Sequence, residues 1–159
     1  MIKLLIMDVD GTLTDGLLHL SSDGSEIKSF STKDGMAIRL AQQNNIIPVI
    51  ITGRESYCVT RRAKELDIFE VHQNIKFKVP CLKEVVKKYN VSFDEVAYIG
   101  DDLNDLDAML LCKERGVPND GEEVMKPHAT FICQRNGGYG AVRDFVNYLI
   151  DLNRVESRN

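Results

Sequence analysis

The sequence contains no CxxC pair, and its four cysteines are widely scattered: Cys58, Cys81, Cys112 and Cys133. Zinc sites built from cysteines use closely spaced pairs, so this spacing argues against such a site. We interpret the cysteines as reduced packing residues and expect the protein to function in the cytoplasm.

Long apolar runs and blocks of basic residues are also missing. No segment approaches the roughly 18 apolar residues of a membrane-spanning helix, and the apolar run at the N-terminus is too short for a signal peptide. The formal net charge is -4, and no basic block provides an electrostatic footprint for nucleic acid or an anionic membrane. We therefore expect neither nucleic acid nor a membrane as a partner.

The composition suits a single folded domain. The chain has 159 residues, of which 43% are hydrophobic, and a chain of this size can bury one substantial core. It shows no repeat, linker or low-complexity segment. We expect one domain over residues 1–152, followed by a frayed polar tail at residues 153–159.

Short apolar segments alternate with amphipathic helical patterns along the chain. The predicted strands are residues 2–7, 46–51, 68–71, 95–99, 116–118 and 129–133. The predicted helices are residues 34–44, 55–66, 78–89, 103–112 and 139–152. Strands separated by helices form parallel sheets that are covered on both faces, so the pattern predicts an α/β fold. The expected architecture is a Rossmann-like three-layer sandwich with a mainly parallel sheet.

Residues 17–31 break this alternation. Asp23 and Gly24 form a strong two-residue turn signal between partly alternating segments, which predicts a β-hairpin that projects after the first strand. An isolated hairpin is marginally stable in water, so its apolar side chains must pack either on their own domain or on another subunit. These side chains are Leu18, Leu20, Ile27 and Phe30.

Polar and acidic residues follow three of the predicted strands. Asp8 and Asp10 end the first, Thr52-Gly53-Arg54 ends the second, and Asp101-Asp102 ends a third, with Asn104 and Asp105 just beyond. Each group alone is compatible with a turn or a helix cap. In open α/β sheets, however, ligands bind outside the carboxyl ends of the strands. Carboxylates gathered there repel one another, and oxygen ligands of this kind suit Mg²⁺.

A magnesium ion beside a free carboxylate points to phosphoryl transfer. We predict that Asp8 attacks phosphorus to form an aspartyl-phosphate, and that Asp10 protonates the leaving group and then deprotonates water. Thr52 and the backbone N–H groups near Asp10 and Gly53 would bind the phosphate oxygens. Lys78 or Lys76 would supply the positive charge that completes the site.

These residues resemble the motifs of the haloacid dehalogenase superfamily of phosphatases. The segment Asp8–Thr12 matches the first motif, Thr52 the second, Lys78 the third and Gly100–Asp105 the fourth. Four motifs in the family's order make the resemblance specific, and it extends over about residues 2 to 150.

The resemblance assigns roles by position. It implies that Asp8 is both nucleophile and metal ligand, and that Asp10 is the acid/base residue and gives its backbone carbonyl to the metal. It implies that Asp101 is a further metal ligand, with Asp102 or Asp105 supporting it.

The match is closest to the capless sugar-acid phosphatases of this superfamily. The hairpin and one helix occupy most of the segment between Asp8 and Thr52, which leaves no room for a cap domain, and residues 137–143 match the branch's glycine-rich motif ending in Arg143. The resemblance implies a homotetramer in which hairpins assemble a barrel and neighbouring subunits close each active site. The glycine-rich stretch is either a flap that reaches the neighbouring site or a plain loop.

The resemblance also indicates the substrate, a 2-keto sugar acid phosphate. Arg54 would bind the substrate carboxylate, together with a substrate-binding set of Thr52, Gly53, Lys78 and Arg143. An arginine at position 54 favours the eight-carbon 3-deoxy-D-manno-octulosonate 8-phosphate over a nine-carbon sugar-acid 9-phosphate, which stays open as the alternative.

Two non-enzymatic hypotheses remain at this point. A signalling receiver domain also combines an acidic cluster with Thr and Lys, but it carries the acidic pair on strand one and the phosphorylated Asp on strand three. Here the order is reversed. A regulatory tetrameric module is the second hypothesis, and the presence of all four motifs argues against it. The three histidines, His19, His72 and His128, are assigned no catalytic role.

Overall fold

The computed structural model of the protein describes residues 1–158. In chain order, its strands are β1 (Leu4–Met7), β2 (His19–Leu20), β3 (Glu26–Ile27), β4 (Ile47–Ile51), β5 (Glu70–His72), β6 (Val96–Ile99), β7 (Glu114–Val117) and β8 (Phe131–Ile132). Strands β2 and β3 pair with each other, and the other six strands of the described chain form one parallel sheet in the order β5-β4-β1-β6-β7-β8. The chain therefore winds outwards from β1 in one direction and then from β6 in the other. Such a reversal is where open α/β sheets bind ligands.

Helices cover both faces of this sheet and overlap all five predicted helical segments. They are α1 (Thr32–Gln43), α2 (Tyr57–Glu65), α3 (Lys78–Lys88), α4 (Leu103–Met109) and α5 (Ala141–Glu156). Helix α1 begins where the Ser31 hydroxyl accepts a hydrogen bond from the N–H of Lys33 at 3.1 Å, which satisfies one free donor of its first turn. The predicted α/β three-layer architecture is confirmed, and only the hairpin and α1 lie between β1 and β4.

The alternation of side chains along β1 builds the two core layers. All four residues of this strand are buried. Successive side chains point to opposite faces of a sheet, and helices cover both faces here. Leu5 and Met7 pack in the core formed with α1 and α5. Leu4 and Ile6 pack in the core formed with α3 and α4. A central strand buried on both faces is a rigid support for the residues that follow it.

The predicted hairpin is present, with His19 opposite Ile27 in its antiparallel ladder. Its turn needs Gly24, whose φ of 84° lies in the left-handed region that glycine adopts without strain. Phe30 packs against the domain core, so the hypothesis of packing within the domain holds for that residue. The remaining apolar side chains of the segment are exposed: Leu17, Leu18, Leu20 and Ile27.

The predicted C-terminal boundary at residue 152 is wrong. Helix α5 continues to Glu156, because residues beyond 152 contact the start of the sheet. The Asn153 side chain accepts a hydrogen bond from the N–H of Ile2 at 2.7 Å and donates one to its carbonyl at 2.9 Å. Glu156 pairs with Lys113 at 2.6 Å. These polar contacts are tertiary and leave no local sequence signal; residue 159 of the predicted tail lies outside the described residues.

The four cysteines are free thiols, as expected from their spacing. Cys112 and Cys133 are buried in the two cores, and burial raises the pKa of Cys112 to about 12, which keeps the unreactive thiol form. Within residues 1–158, no helix combines the length and the apolar composition needed to cross a membrane.

Asp34 is a buried carboxylate that joins α1 to α5. Its Oδ1 accepts a hydrogen bond from the N–H of Arg143, in the first turn of α5, at 3.0 Å. Its Oδ2 has no hydrogen-bond partner among the described residues. The helix N-terminus favours a carboxylate, but burial outweighs this effect and raises the pKa of Asp34 from 3.8 to about 6.

The raised pKa of Asp34 predicts a loss of stability as the pH rises from about 4 to about 6. Over that interval the unfolded chain has already released the proton that the folded chain retains, so the free energy of unfolding falls. The raised pKa lowers the free energy of unfolding by at most about 3 kcal/mol over this interval. Asp34→Asn removes this titration, so its free energy of unfolding relative to wild type should rise over the interval and level off above it.

Urea denaturation between pH 4 and pH 8 measures this difference. The exposed Asp94→Asn variant removes one carboxylate without touching the contact between helices and serves as the matched control. A difference between Asp34→Asn and wild type that does not change with pH would show that the burial of Asp34 carries no such cost.

Candidate active site

The polar residues that follow β1, β4 and β6 meet at the carboxyl edge of the sheet. They line an open cleft of about 410 Å³ formed by Asp8, Asp10, Thr52, Gly53, Arg54, Asp101, Asp102, Leu103 and Asn104. The parallel pairing of β1 with both β4 and β6 places the three strand ends side by side. The structure thus brings together most of the residues that the sequence pattern selected.

A cluster of carboxylates occupies the floor of the cleft. Oxygen atoms of Asp8, Asp101 and Asp105 lie within 4.8 Å of one another. Burial and the negative charges of the neighbouring carboxylates raise the pKa of Asp8 to about 6 and that of Asp101 to about 8. Crowded acids of this kind are stabilised by a hard cation with oxygen ligands. The cluster therefore has the charge and the oxygen donors that suit a nearby divalent metal ion.

Lys78 provides the fixed positive charge of the cluster. Its Nζ lies 2.6 Å from Asp8 Oδ1 and 2.6 Å from Asp105 Oδ1, and its side chain is 1% exposed. Burial alone would lower the pKa of Lys78, but the two carboxylates raise it further than burial lowers it. The other candidate, Lys76, is exposed and lies over the ring of Phe77. The structure thus selects Lys78.

Asp105 is fully buried, and protein donors occupy both of its oxygens. Its Oδ1 accepts from Lys78 and, at 2.7 Å, from the Tyr98 hydroxyl, while its Oδ2 accepts from the N–H of Asp101 at 3.2 Å. Asp102 instead caps α4, where its side chain accepts from the N–H of Leu103 at 2.7 Å. The sequence did not decide whether Asp102 or Asp105 supports Asp101. In the structure, Asp105 makes that contact. Tyr98 was missed because it lies inside a strand that reads as core.

Two glycines allow the carboxylates to approach the backbone this closely. A Cβ atom on Gly11 would lie 2.0 Å from Asp101 Oδ2, and the φ of Gly11 is 93°. A Cβ atom on Gly100 would lie 2.5 Å from the Asp105 carboxyl carbon. Any side chain at these positions would displace the acidic residues, so both glycines are required for the geometry of the cluster.

Thr52 is held rigidly at the end of β4. Its N–H donates to the carbonyl of His72 at 2.9 Å, and its carbonyl accepts from the N–H of Ile75 at 3.0 Å. The residue is buried and lines the cleft. Gly53 and Arg54 follow it on the exposed rim. A hydroxyl group, backbone donors and a guanidinium group therefore face the same opening.

The glycine-rich segment packs against the loop that carries Asp10. The N–H of Gly138 donates to the carbonyl of Thr12 at 3.1 Å, and a Cβ atom on Gly137 would lie 1.9 Å from the Gly11 carbonyl oxygen. Within its own chain the segment is thus a packed loop. The predicted site residue Arg143 does not line this cleft, because it lies on α5, where its Nε donates to Asn147 at 3.2 Å.

Sequence reasoning missed Lys28. This lysine directly follows β3 of the hairpin, and its Nζ lies 2.5 Å from Asp10 Oδ1 and 3.0 Å from Glu26 Oε1. Burial lowers the pKa of Lys28, but the nearby carboxylates of Asp10 and Glu26 outweigh that effect and raise it overall. Glu26 and Lys28 are two residues apart, which places both on one face of a strand. That spacing is the only signal available, and it is common on exposed hairpins.

Comparisons with known proteins agree with this geometry. The family model described as haloacid dehalogenase-like hydrolase matches residues 26–112. The 3-deoxy-D-manno-octulosonate 8-phosphate phosphatase KdsC of Escherichia coli K12 is 36% identical over 149 residues, which cover 94% of this chain and 79% of the relative.

Solved structures give the same result. The chain is 36% identical to a 3-deoxy-D-manno-octulosonate 8-phosphate phosphatase from Yersinia pestis, with a TM-score of 0.91 over 95% of this chain and 81% of the other. A phosphatase of the same name from Moraxella catarrhalis, in complex with a magnesium ion, a phosphate ion and KDO, is 41% identical. Its TM-score is 0.90, over 94% of this chain and 85% of the other.

These matches extend beyond the segment that the family model covers. Residues 26–112 begin after Asp8 and Asp10, but the alignments with the relatives span almost the whole chain. With the acidic cluster, Lys78 and Thr52 at one edge of a parallel sheet, the chain belongs to the haloacid dehalogenase-like hydrolase family.

Proposed function

We propose that the protein hydrolyses 3-deoxy-D-manno-octulosonate 8-phosphate to the free sugar acid and phosphate, with Mg²⁺ as its cofactor. The observation that carries the proposal is the placement of Asp8 against Lys78, beside the crowded carboxylate of Asp101. The activity named for relatives that are 36% and 41% identical supports the choice of substrate.

Three oxygen donors are proposed as ligands of the metal ion. They are the carboxylates of Asp8 and Asp101 and the main-chain carbonyl of Asp10, an all-oxygen set that suits Mg²⁺. When bound, the ion would offset the negative charge of the phosphate and hold it near the nucleophile. Asp105 is not proposed as a ligand, because protein donors already occupy both of its oxygens.

Asp8 and Asp10 divide the chemical work. A carboxylate oxygen of Asp8 bonds to phosphorus while the bond between phosphorus and the sugar oxygen breaks. The departing sugar oxygen takes a proton from Asp10. Asp10 then accepts a proton from the water molecule that releases phosphate from Asp8. Thr52, the N–H of Gly53 and Lys78 bind the phosphate oxygens and stabilise the charge that they carry.

Arg54 is the proposed contact for the substrate carboxylate. It lies on the rim of the cleft, next to the proposed phosphate-binding pair of Thr52 and Gly53, and a guanidinium group binds a carboxylate through two parallel hydrogen bonds. A nine-carbon sugar-acid 9-phosphate presents the same carboxylate. The relatives named for the eight-carbon substrate decide the choice in its favour.

The exposed hairpin supports a homotetramer as the working assembly. The exposed apolar side chains of the hairpin segment are Leu17, Leu18, Leu20 and Ile27, and contact of such side chains with water is unfavourable. Pairing of hairpins between subunits would cover these side chains and bring a neighbouring chain over the open cleft. In this arrangement Arg143, which lies outside the cleft of its own chain, would contact substrate in a neighbouring site. The free cysteines support the cytoplasm as its compartment.

The non-enzymatic hypotheses fit this chain less well. A receiver domain carries its acidic pair on the first strand and its phosphorylated Asp on the third. Here the proposed nucleophile Asp8 follows β1, and the pair of Asp101 and Asp102 follows β6. A regulatory module would have no need for a buried lysine paired with two catalytic-type acids.

Asp8→Asn should abolish turnover of p-nitrophenyl phosphate with Mg²⁺, with a loss of at least about a thousandfold in kcat, because the amide cannot form the acyl-phosphate. Steady-state release of p-nitrophenol measures this loss. Asp151→Asn, an exposed position on α5, is the matched control and should keep full activity. Retention of a tenth of the wild-type rate by Asp8→Asn would refute the nucleophile assignment.

Arg54→Met should lower kcat/KM for 3-deoxy-D-manno-octulosonate 8-phosphate by about 10- to 100-fold, the usual worth of a charge-assisted hydrogen bond. The effect on glucose 6-phosphate, which has no carboxylate, should be less than about threefold. Coupled detection of released phosphate measures both. Arg61→Met, on the exposed face of α2, is the control, and equal losses on both substrates would contradict carboxylate recognition by Arg54.

Replacing Leu20 and Ile27 together by Ser should dissociate the assembly, because an exposed apolar side chain would be lost from each face of the hairpin. Multi-angle light scattering should show a fall from the tetramer mass towards the monomer mass. Val155→Ser removes an exposed apolar side chain elsewhere and should leave the mass unchanged. A wild-type monomer, or a variant that remains tetrameric, would overturn the assembly proposal.

A further inference from the structure

Lys28 connects the hairpin to the loop that carries Asp10. The residue as a whole is half-buried, but its side chain is 1% exposed and extends into the domain. Its Nζ reaches Asp10 Oδ1 at 2.5 Å and Glu26 Oε1 at 3.0 Å. The lysine therefore links a residue of the hairpin with a residue of the candidate active site.

A role limited to supporting the hairpin does not explain this arrangement. Glu26 lies two residues before Lys28 and could pair with it at the surface, where such pairs contribute little to stability. Lys28 instead gives up its hydration to reach a second carboxylate, across 18 positions of sequence. Removing an ammonium group from water is costly unless good partners replace the water. The contact with Asp10 is the one that requires the buried position.

The contact leaves one oxygen of Asp10 available to the cleft. Within residues 1–158, the hydrogen bond to the Asp10 side chain goes to Oδ1, and Asp10 lines the cleft beside Asp8. The ammonium group thus fixes the rotation of the carboxyl group. Oδ2 is then the Asp10 oxygen that can carry a proton for the leaving group.

We propose that Lys28 is a positioning residue that holds Asp10 in the orientation needed to protonate the leaving group. The inference rests on the proposed phosphatase function. In the step concerned, the bond from phosphorus to the sugar oxygen breaks as the Asp8–phosphorus bond forms. The leaving oxygen keeps the electron pair and takes the proton from Asp10. Lys28 transfers no proton; it fixes the Asp10 carboxyl group before and after the transfer.

This role makes the requirement for Lys28 depend on the leaving group. A sugar alkoxide is a poor leaving group and needs the proton, whereas p-nitrophenolate departs without one. A 1 Å misplacement of a catalytic group can cost about a hundredfold in rate. The loss of Lys28 should therefore affect alkyl esters far more than aryl esters.

The test compares Lys28→Met with wild type on 3-deoxy-D-manno-octulosonate 8-phosphate and p-nitrophenyl phosphate, both with Mg²⁺. The expected result is a fall in kcat of about 10- to 100-fold for the sugar ester and of less than about threefold for the aryl ester. Lys33→Met, an exposed lysine on α1, is the matched control and should change neither rate. Equal losses on the two esters would overturn the proposal.

Two further measurements keep the test decisive. Lys28→Met added to Asp10→Asn should produce no further loss on the sugar ester, and a full multiplicative loss would contradict action through Asp10. If thermal denaturation shows that Lys28→Met is unfolded, Lys28→Arg and Lys28→Gln replace it. The arginine variant should retain the wild-type ratio of the two rates better than the glutamine variant, and the reverse order would overturn the proposal.

A wild-type protein that hydrolyses neither ester would refute the phosphatase function itself, which separates that failure from a failure of the role of Lys28.

Discussion

The geometry of the candidate active site depends on one buried ion-pair network. Lys78 lies between Asp8 and Asp105, 2.6 Å from each, in a place that water barely reaches. A buried charge without partners would be strongly destabilising, and so would two buried carboxylates without a cation. Each charge in the network therefore offsets the free-energy cost of burying the others. The network fixes Oδ1 of Asp8, the residue proposed as nucleophile and metal ligand.

The rest of the fold positions this network. Strand β1 is buried on both faces and holds Asp8 at its end, while β6 delivers Asp101 from the adjacent strand. Gly11 and Gly100 remove the side chains that would keep these acids apart. The hydroxyl of Tyr98 and the N–H of Asp101 complete the hydrogen bonds of Asp105. Rigid support matters because electrostatic stabilisation of a transition state requires groups that are already in place.

The same structure leaves its cleft open on one side. A phosphatase without a cap domain exposes its intermediate to solvent, and closure of the site would strengthen the electrostatic interactions inside it. The hairpin is the segment through which the proposed assembly would close the cleft, since it carries exposed apolar side chains and also Lys28, which reaches Asp10. The proposed assembly through the hairpin and the proposed positioning of Asp10 thus depend on the same short segment.

The amino-acid sequence alone predicted the strand and helix order, the parallel sheet, the hairpin and most of the residues that line the cleft. These features depend on local patterns: apolar runs of strand length, helical periodicity, the Asp23-Gly24 turn, and polar residues placed directly after strands. Asp8, Thr52 and Asp101 could be selected because topology alone brings the ends of parallel strands together.

Which side chains contact one another became known only from the packed three-dimensional structure. In the structure, Lys78 rather than Lys76 contacts the acidic cluster, and Asp105 rather than Asp102 supports Asp101. Tyr98 and Lys28 also contact site residues. Helix α5 continues to Glu156, and Arg143 lies outside the cleft of its own chain. Each of these outcomes depends on a contact between residues distant in sequence or on the direction in which a long side chain points. Local sequence patterns indicate the strand, helix or loop in which a residue lies. The packing of the whole chain determines which other side chains it contacts.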